Sequence, residues 1–210
     1  MKFHLVLEEI LGKKSDIAIL RVLVEKDLEL TGRQIAQLTG LNHRTCQLSL
    51  KNLVTQGIVS LRKIGKSNLF KLKRENVLVK NGILPLFEAE HQLLSTVQFL
   101  ISDKLGTKKI LSLILFGSVA LGQEKPDSDL DVCVIVADEE SKVFVEQEED
   151  LLSQTIIKLF GNSLALYSLT VDEFNKRYFE DDELIKGIIR NERVFWGKSL
   201  KEILKDDQKR

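Results

Sequence analysis

The residues best placed to do chemistry are Gly117-Ser118 and, ten residues further on, Asp129-Leu130-Asp131. Lys109 to Phe116 before the first pair is apolar enough for a buried strand, and Val132 to Val136 after the second is another. A strand that ends in Gly-Ser at the start of a short helix offers free backbone N–H groups and a hydroxyl to a phosphate oxygen, and glycine lets a ligand approach closely. Two aspartates two apart on a strand point to the same face, with Cα atoms about 6.6 Å apart at roughly 3.3 Å rise per residue. Such a pair can share metal ions, and ions about 3.5–4 Å apart orient an attacking oxygen and stabilise the leaving one in phosphoryl or nucleotidyl transfer. Oxygen-only ligands beside a phosphate cradle point to Mg2+. Asp127 reads as a loop carboxylate and not as a third ligand.

The spacing from Gly117-Ser118 to Asp129-x-Asp131, within Leu-Phe-Gly-Ser and Asp-Ser-Asp-Leu-Asp-Val, resembles the minimal nucleotidyltransferase (MNT) domains of the DNA polymerase β-type superfamily. The resemblance covers about residues 105–198. It implies a mixed sheet flanked by helices, Gly117 and Ser118 as nucleotide-binding residues for an NTP such as ATP, and Asp129 and Asp131 as catalytic Mg2+ ligands. Active members of that superfamily carry a third carboxylate on a later strand. Here the acidic helix Glu139–Phe160 is followed by a strand, Leu164-Ala165-Leu166-Tyr167-Ser168, that contains no Asp or Glu. Leu166 to Phe174 and Arg193-Val194-Phe195-Trp196-Gly197 resemble the MNT subgroup fused to winged helices, in which an Asp is commonly absent from this place. Asp172 is expected to open the next helix, Trp196 to sit in the core, and Glu146, Glu148, Glu149 and Asp150 to form a solvated helix face.

The elements upstream follow a different pattern. Ser15-Asp16 precede an apolar series, Ile17, Ile19, Leu20, Leu23 and Val24, with helical spacing and an N-cap in front. Thr31 and Gln34 have capping-box spacing ahead of Ile35, Ala36 and Leu38, and Gly40 is a stop. A third helix opens at Asn42 and runs to Gly57, with Leu41, Leu48 and Val54 expected in the core. Ile58 to Lys63 and Leu69 to Lys73 alternate as two strands around Gly65-Lys66-Ser67-Asn68. Three helices and a basic hairpin resemble a winged helix-turn-helix domain of the MarR/ArsR type over about residues 13–75. In such a domain the second helix of the helix-turn-helix enters the major groove. Arg44, Thr45, Gln47 and Lys51 are then expected to face the groove, where Arg and Gln can read base edges, with Arg33, Lys63 and Lys66 meeting phosphates. His43 reads as a capping-turn residue.

Charge divides the same way. Residues 1–80 hold 15 of the 31 basic residues but 7 of the 31 acidic ones, a formal charge of +8 that leaves −8 for the rest. A basic module suits a polyanion and an acidic one does not. The expected organisation is an α+β chain of two domains: a winged helix-turn-helix DNA-binding domain over 1–80, a connecting helix over 81–104, a nucleotidyltransferase-like domain over 105–200, and a fraying tail over 201–210. Asn81-Gly82 break the pattern, and Pro85 suits a first helical turn. The connecting helix is apolar on more than one face, which fits either the first core helix of the second domain or a dimer helix serving a palindromic DNA site. The start of the chain has no apolar run long enough for a signal peptide or membrane span, and Cys46 and Cys133 lack CxxC or nearby His, so a cytoplasmic location with free thiols is expected.

Two functional readings remain on the residues. One is a DNA-bound nucleotidyltransferase that moves NMP from an NTP to a hydroxyl on a protein or small molecule. The other is a transcription regulator whose degenerate transferase domain senses a nucleotide without turnover. The negative charge of the second domain argues that DNA is not the acceptor.

Overall fold

The computed structural model describes residues 1–106 and 110–207, with side chains to Leu204. Lys109, where the strand was expected to open, and residues 208–210 of the expected tail lie outside the described residues. Two compact units divide the chain, Met1–Gln92 and Leu93–Arg210.

The first unit runs α1 (Val6–Leu11), α2 (Lys14–Lys26), β1 (Leu30–Thr31), α3 (Gly32–Thr39), α4 (His43–Thr55), β2 (Val59–Ile64) and β3 (Ser67–Leu72). The strands form an antiparallel sheet in the order β1-β3-β2. Helices α3 and α4 begin as the capping chemistry requires. Thr31 and Gln34 close a reciprocal box at α3, and Asn42 Oδ1 accepts from Thr45 N at 2.9 Å at α4. Gly40, with φ of +68°, ends α3 in the left-handed conformation that glycine tolerates. Ile19, Leu20, Leu23, Ile35, Leu50, Leu53, Ile58 and Phe70 make the core, each such side chain contributing roughly 1.5–3 kcal/mol by burial. Helix order, hairpin and core together define a winged helix.

Three expectations for this unit change. Ser15 and Asp16 do not cap α2 from outside but lie within its first turn, Lys13 being the capping position. Their side chains instead tie helices together. Ser49 Oγ donates to Ser15 Oγ at 2.8 Å, and Asn52 Nδ2 donates to Asp16 Oδ2 at 3.0 Å and to Glu9 O at 2.6 Å. Asp16 is fully buried there, and its Oδ1 has no hydrogen-bond partner among the described residues. Leu48 is 62% exposed and outside the core; Cys46, Ser49, Leu50 and Leu53 are the residues that α4 buries. Asn81-Gly82 do not break the chain's helical course. Val79–Ile83 form a π-helical turn, in which Leu84 N donates to Val79 O, and it leads straight into α5 (Leu84–Leu105). Pro85 sits in the first turn of α5 and, having no N–H, cannot follow Leu84 in donating back to the π-helical turn.

Val97, Ile101 and Leu105 of α5 belong to the core of the second unit. That unit continues with β4 (Ile110–Phe116), α6 (Gly117–Ala120), β5 (Leu130–Val136), α7 (Glu139–Phe160), β6 (Leu164–Thr170), α8 (Val171–Phe179), α9 (Glu183–Arg190), β7 (Arg193–Gly197) and α10 (Leu200–Asp207). The sheet order is β6-β5-β4-β7, with β5 and β6 parallel and the other pairs antiparallel. One face, with Leu113, Leu115, Val132 and Val134, packs with Val145, Leu152 and Ile156 of α7. The other, with Ile114, Cys133, Ile135 and Leu169, packs with Phe174, Ile185, Ile188, Leu200 and Ile203. Burial on both faces is why β4 and β5 read as continuous apolar runs.

Thr170 and Glu173 form a capping box at α8, and Asp172 lies in its first turn. The expected C-terminal tail is helical to Asp207, because Leu200, Ile203 and Leu204 cover the sheet. The acidic run on α7 is only partly a solvated face. Glu149 Oε1 accepts from Leu166 N at 3.2 Å and Glu146 Oε1 from Ser168 Oγ at 3.3 Å, so two carboxylates serve groups of the edge strand β6. Lys104 lies 2.9 Å from Glu148.

Candidate active site and nucleic-acid interface

The strand pairing brings the two halves of the Gly-Ser and Asp-x-Asp pattern together. Asp131, the second residue of β5, is in register with Phe116, the last of β4. Gly117 follows with φ of +71°, turning the chain into α6. Its Cα lies so close to the Asp131 carboxylate that a Cβ built there would stand 2.1 Å from Oδ2 and 3.0 Å from Cγ. Two independent constraints therefore demand glycine: the left-handed backbone and the carboxylate packed against it.

Asp129 precedes β5 and is exposed, whereas Asp131 is half-buried. Burial, and then the charge of Asp129, raise the Asp131 pKa above the ordinary carboxylate value. Between Gly117 and Asp129 the chain is held by its own turns: Gln123 N donates to Ser118 O at 2.9 Å and Ser128 N to Lys125 O at 3.0 Å. Asn162 Nδ2 donates to Ser128 O at 2.9 Å, and Leu130 N to Ser163 O at 2.8 Å, which anchors the segment carrying Asp129. Asp127 is exposed within this loop.

On the far side of β5, Asp131 is in register with Ala165 and Cys133 with Tyr167. Residues in register share a face, so these are the β6 positions from which a third carboxylate would reach the pair, and neither is acidic. Among the described residues no group of three or more His, Cys, Asp or Glu is arranged to hold a metal ion. The Tyr167 hydroxyl is instead engaged by Arg177 Nη1, whose guanidinium lies 5.6 Å from the ring centroid. Arg177 also approaches Asp182 at 3.7 Å. Below them Cys133 is fully buried, and its thiol is pushed up to about 12 by burial, leaving it inert.

In the first unit, Arg33, Arg44, Lys51, Lys63 and Lys66 are all exposed. Thr45 and Gln47 are half-buried, and Gln47 is turned toward α3: a Cβ on Gly32 would meet its Nε2 at 2.3 Å. Arg62 on the wing donates from Nε to Glu29 Oε1 at 2.9 Å and from Nη2 to Oε2. Leu48 is the surface residue that the sequence reading misplaced. The signal was present, since it falls four residues after Arg44 and three before Lys51, on the side of the helix away from its buried residues.

Sheet, Gly-Ser turn and paired carboxylates define the second unit as a nucleotidyltransferase fold, joined in one chain to a winged helix. The family model described as "Nucleotidyltransferase domain" matches residues 100–205, half of the chain, and the chain belongs to that family. No curated protein matches it. Among solved structures, the chain is similar to a homodimeric winged helix-turn-helix DNA-binding domain from Mycobacterium bovis, at 25% identity over 40% of this chain and 77% of that one, with a TM-score of 0.34. It is similar also to a toxin-antitoxin solved with AMP-PNP, at 15% identity over 55% of this chain and 83% of that one, with a TM-score of 0.36. A mutant MntA-HpeT toxin-antitoxin shares 13% identity over the same proportions, 55% and 83%, with a TM-score of 0.34. Among the described residues no helix is long and apolar enough to cross a membrane.

Proposed function

We propose that the chain binds double-stranded DNA through residues 1–80 and Mg-NTP, with ATP as the expected nucleotide, at Gly117, Ser118, Asp129 and Asp131. The observation that carries the nucleotide reading is the packing of Gly117 against Asp131, which leaves backbone rather than side chain between the Gly-Ser turn and a carboxylate. Backbone N–H groups at Gly117 and Ser118, with the Ser118 hydroxyl, suit phosphate oxygens. Asp129 and Asp131 fit a hard divalent cation: both are oxygen donors, and a cation beside them would offset the burial and, after it, the repulsion from Asp129 that raise Asp131. Bound Mg2+ would supply charge neutralisation at the phosphates. Transfer would join an acceptor hydroxyl to the α-phosphorus as the bond to the β-phosphate oxygen breaks, releasing pyrophosphate. The acceptor is a protein or a small molecule, and the formal charge of −8 beyond residue 80 disfavours DNA in that role.

A second reading has its own support. The β6 positions beside the aspartates, Ala165 and Tyr167, supply no third carboxylate to help activate the acceptor hydroxyl, which favours a transcription regulator that binds nucleotide without turnover. Coupling between nucleotide and DNA would then be about 1–3 kcal/mol. The test is α-labelled ATP with Mg2+, the purified chain and a cell lysate, alongside duplex binding with and without Mg-ATP. Label on a protein or small molecule supports transfer, and nucleotide-dependent DNA affinity without label supports sensing. No Mg-ATP binding by calorimetry would refute both.

A further inference from the structure

We propose that Leu48 is a base-reading residue, contacting a thymine C5-methyl group in the major groove. The proposal rests on the DNA-binding reading of the first unit and gives it a chemical specificity. At about 100° per residue, Arg44, Leu48, Lys51 and Thr55 fall within an arc of about 60° on α4. All four are exposed, and Leu48 is 62% so. Cys46, Ser49, Leu50 and Leu53, the buried residues, occupy the opposite side. Leu48 therefore stands at one edge of this exposed arc, away from the buried side, with a cation one turn to either side along the axis.

An isolated surface leucine ordinarily carries no meaning. This one stands on a helix whose charges are all positive. Helix α4 contains no acidic residue, and Arg33, Lys63 and Lys66 are exposed elsewhere in the same unit. Such a surface is complementary to a polyanion and not to an acid-poor protein face. In a major groove the apolar feature available to an aliphatic side chain is the thymine methyl, while guanine, cytosine and adenine present polar edges. Gln47, turned toward Gly32, and half-buried Thr45 flank this point and do not occupy it.

The test uses the full chain to select duplexes from a random pool at low salt. Each thymine of the selected site is then replaced singly by deoxyuridine, which lacks only the methyl, and the affinities of wild type and Leu48→Ala are compared. At one or more thymines the wild type should weaken about fourfold, the factor contributed by burying one methyl. Leu48→Ala should show no loss at the same thymines, with its salt dependence unchanged. If no thymine distinguishes the two proteins, Leu48 does not read the methyl, although DNA binding stands. If no duplex is retained, the DNA-binding reading fails with it.

Discussion

Gly117→Ala separates the two demands that the candidate site places on this position. An L-residue held at positive φ costs about 1–2 kcal/mol. The new Cβ would also meet Asp131 Oδ2 at 2.1 Å, so the carboxylate must move or the turn must open, at a further cost of about 1–3 kcal/mol typical of overpacking. Gly161→Ala is the matched control: φ there is +81°, but a Cβ meets nothing within 4 Å. Urea unfolding should place Gly161→Ala about 1–2 kcal/mol below wild type and Gly117→Ala about 2–5 kcal/mol below it. Calorimetry with Mg-ATP should show binding kept by Gly161→Ala and lost, or weakened by at least tenfold, in Gly117→Ala. Equal destabilisation of the two variants together with unchanged Mg-ATP affinity would refute the claim that Gly117 exists to seat Asp131.

Asp131→Asn should abolish Mg-ATP binding while raising stability at neutral pH in the presence of a chelator. A carboxyl whose folded-state pKa is raised holds its proton more readily in the native state, so its contribution is complete below the unfolded value and is lost as pH rises through the folded one. The advantage of the Asn variant should accordingly grow as pH rises through the acid range and level off towards neutrality; a variant less stable than wild type at pH 7 would contradict this. On the wing, Lys63→Ala and Lys66→Ala should each reduce the slope of log K against log salt for duplex binding by about 0.9, if each lysine meets one phosphate. Arg62→Ala should change it little, since Glu29 already holds that guanidinium; a full unit lost there would mean that the ion pair opens on DNA.

Much of this architecture is written in local signals. The Thr31/Gln34 box, Asn42, Gly40 and the alternating hairpin are short-range chemistry, and the structure follows them. The Gly-Ser and Asp-x-Asp spacing was legible for the same reason, being a strand end and a strand start. What brings them together, the register of Phe116 with Asp131, depends on partners fifteen or more residues apart and was not legible. Asp16 misled because Ser-Asp before an apolar run is also the pattern of a cap; only the packing of α4 shows the carboxylate meeting Asn52. Leu48 misled because hydrophobicity alone was read as burial, although its position on the helix opposes the buried side. Glu146 and Glu149 looked like surface because nothing in the sequence reveals that β6 is an edge strand with groups to satisfy.

Strand β5 has a neighbour on either side, and Val132 to Val136 are all fully buried. Amides in such a strand exchange with solvent only through openings that approach global unfolding, whereas short helices and irregular segments open at small cost. Asp131 is thus mounted on one of the slowest-exchanging segments of its unit, while Gly117 and Ser118 belong to a helix of four residues. On the proposed reading the carboxylate supplies a fixed origin, and any accommodation of different nucleotides or acceptors would fall to the turn and loop facing it.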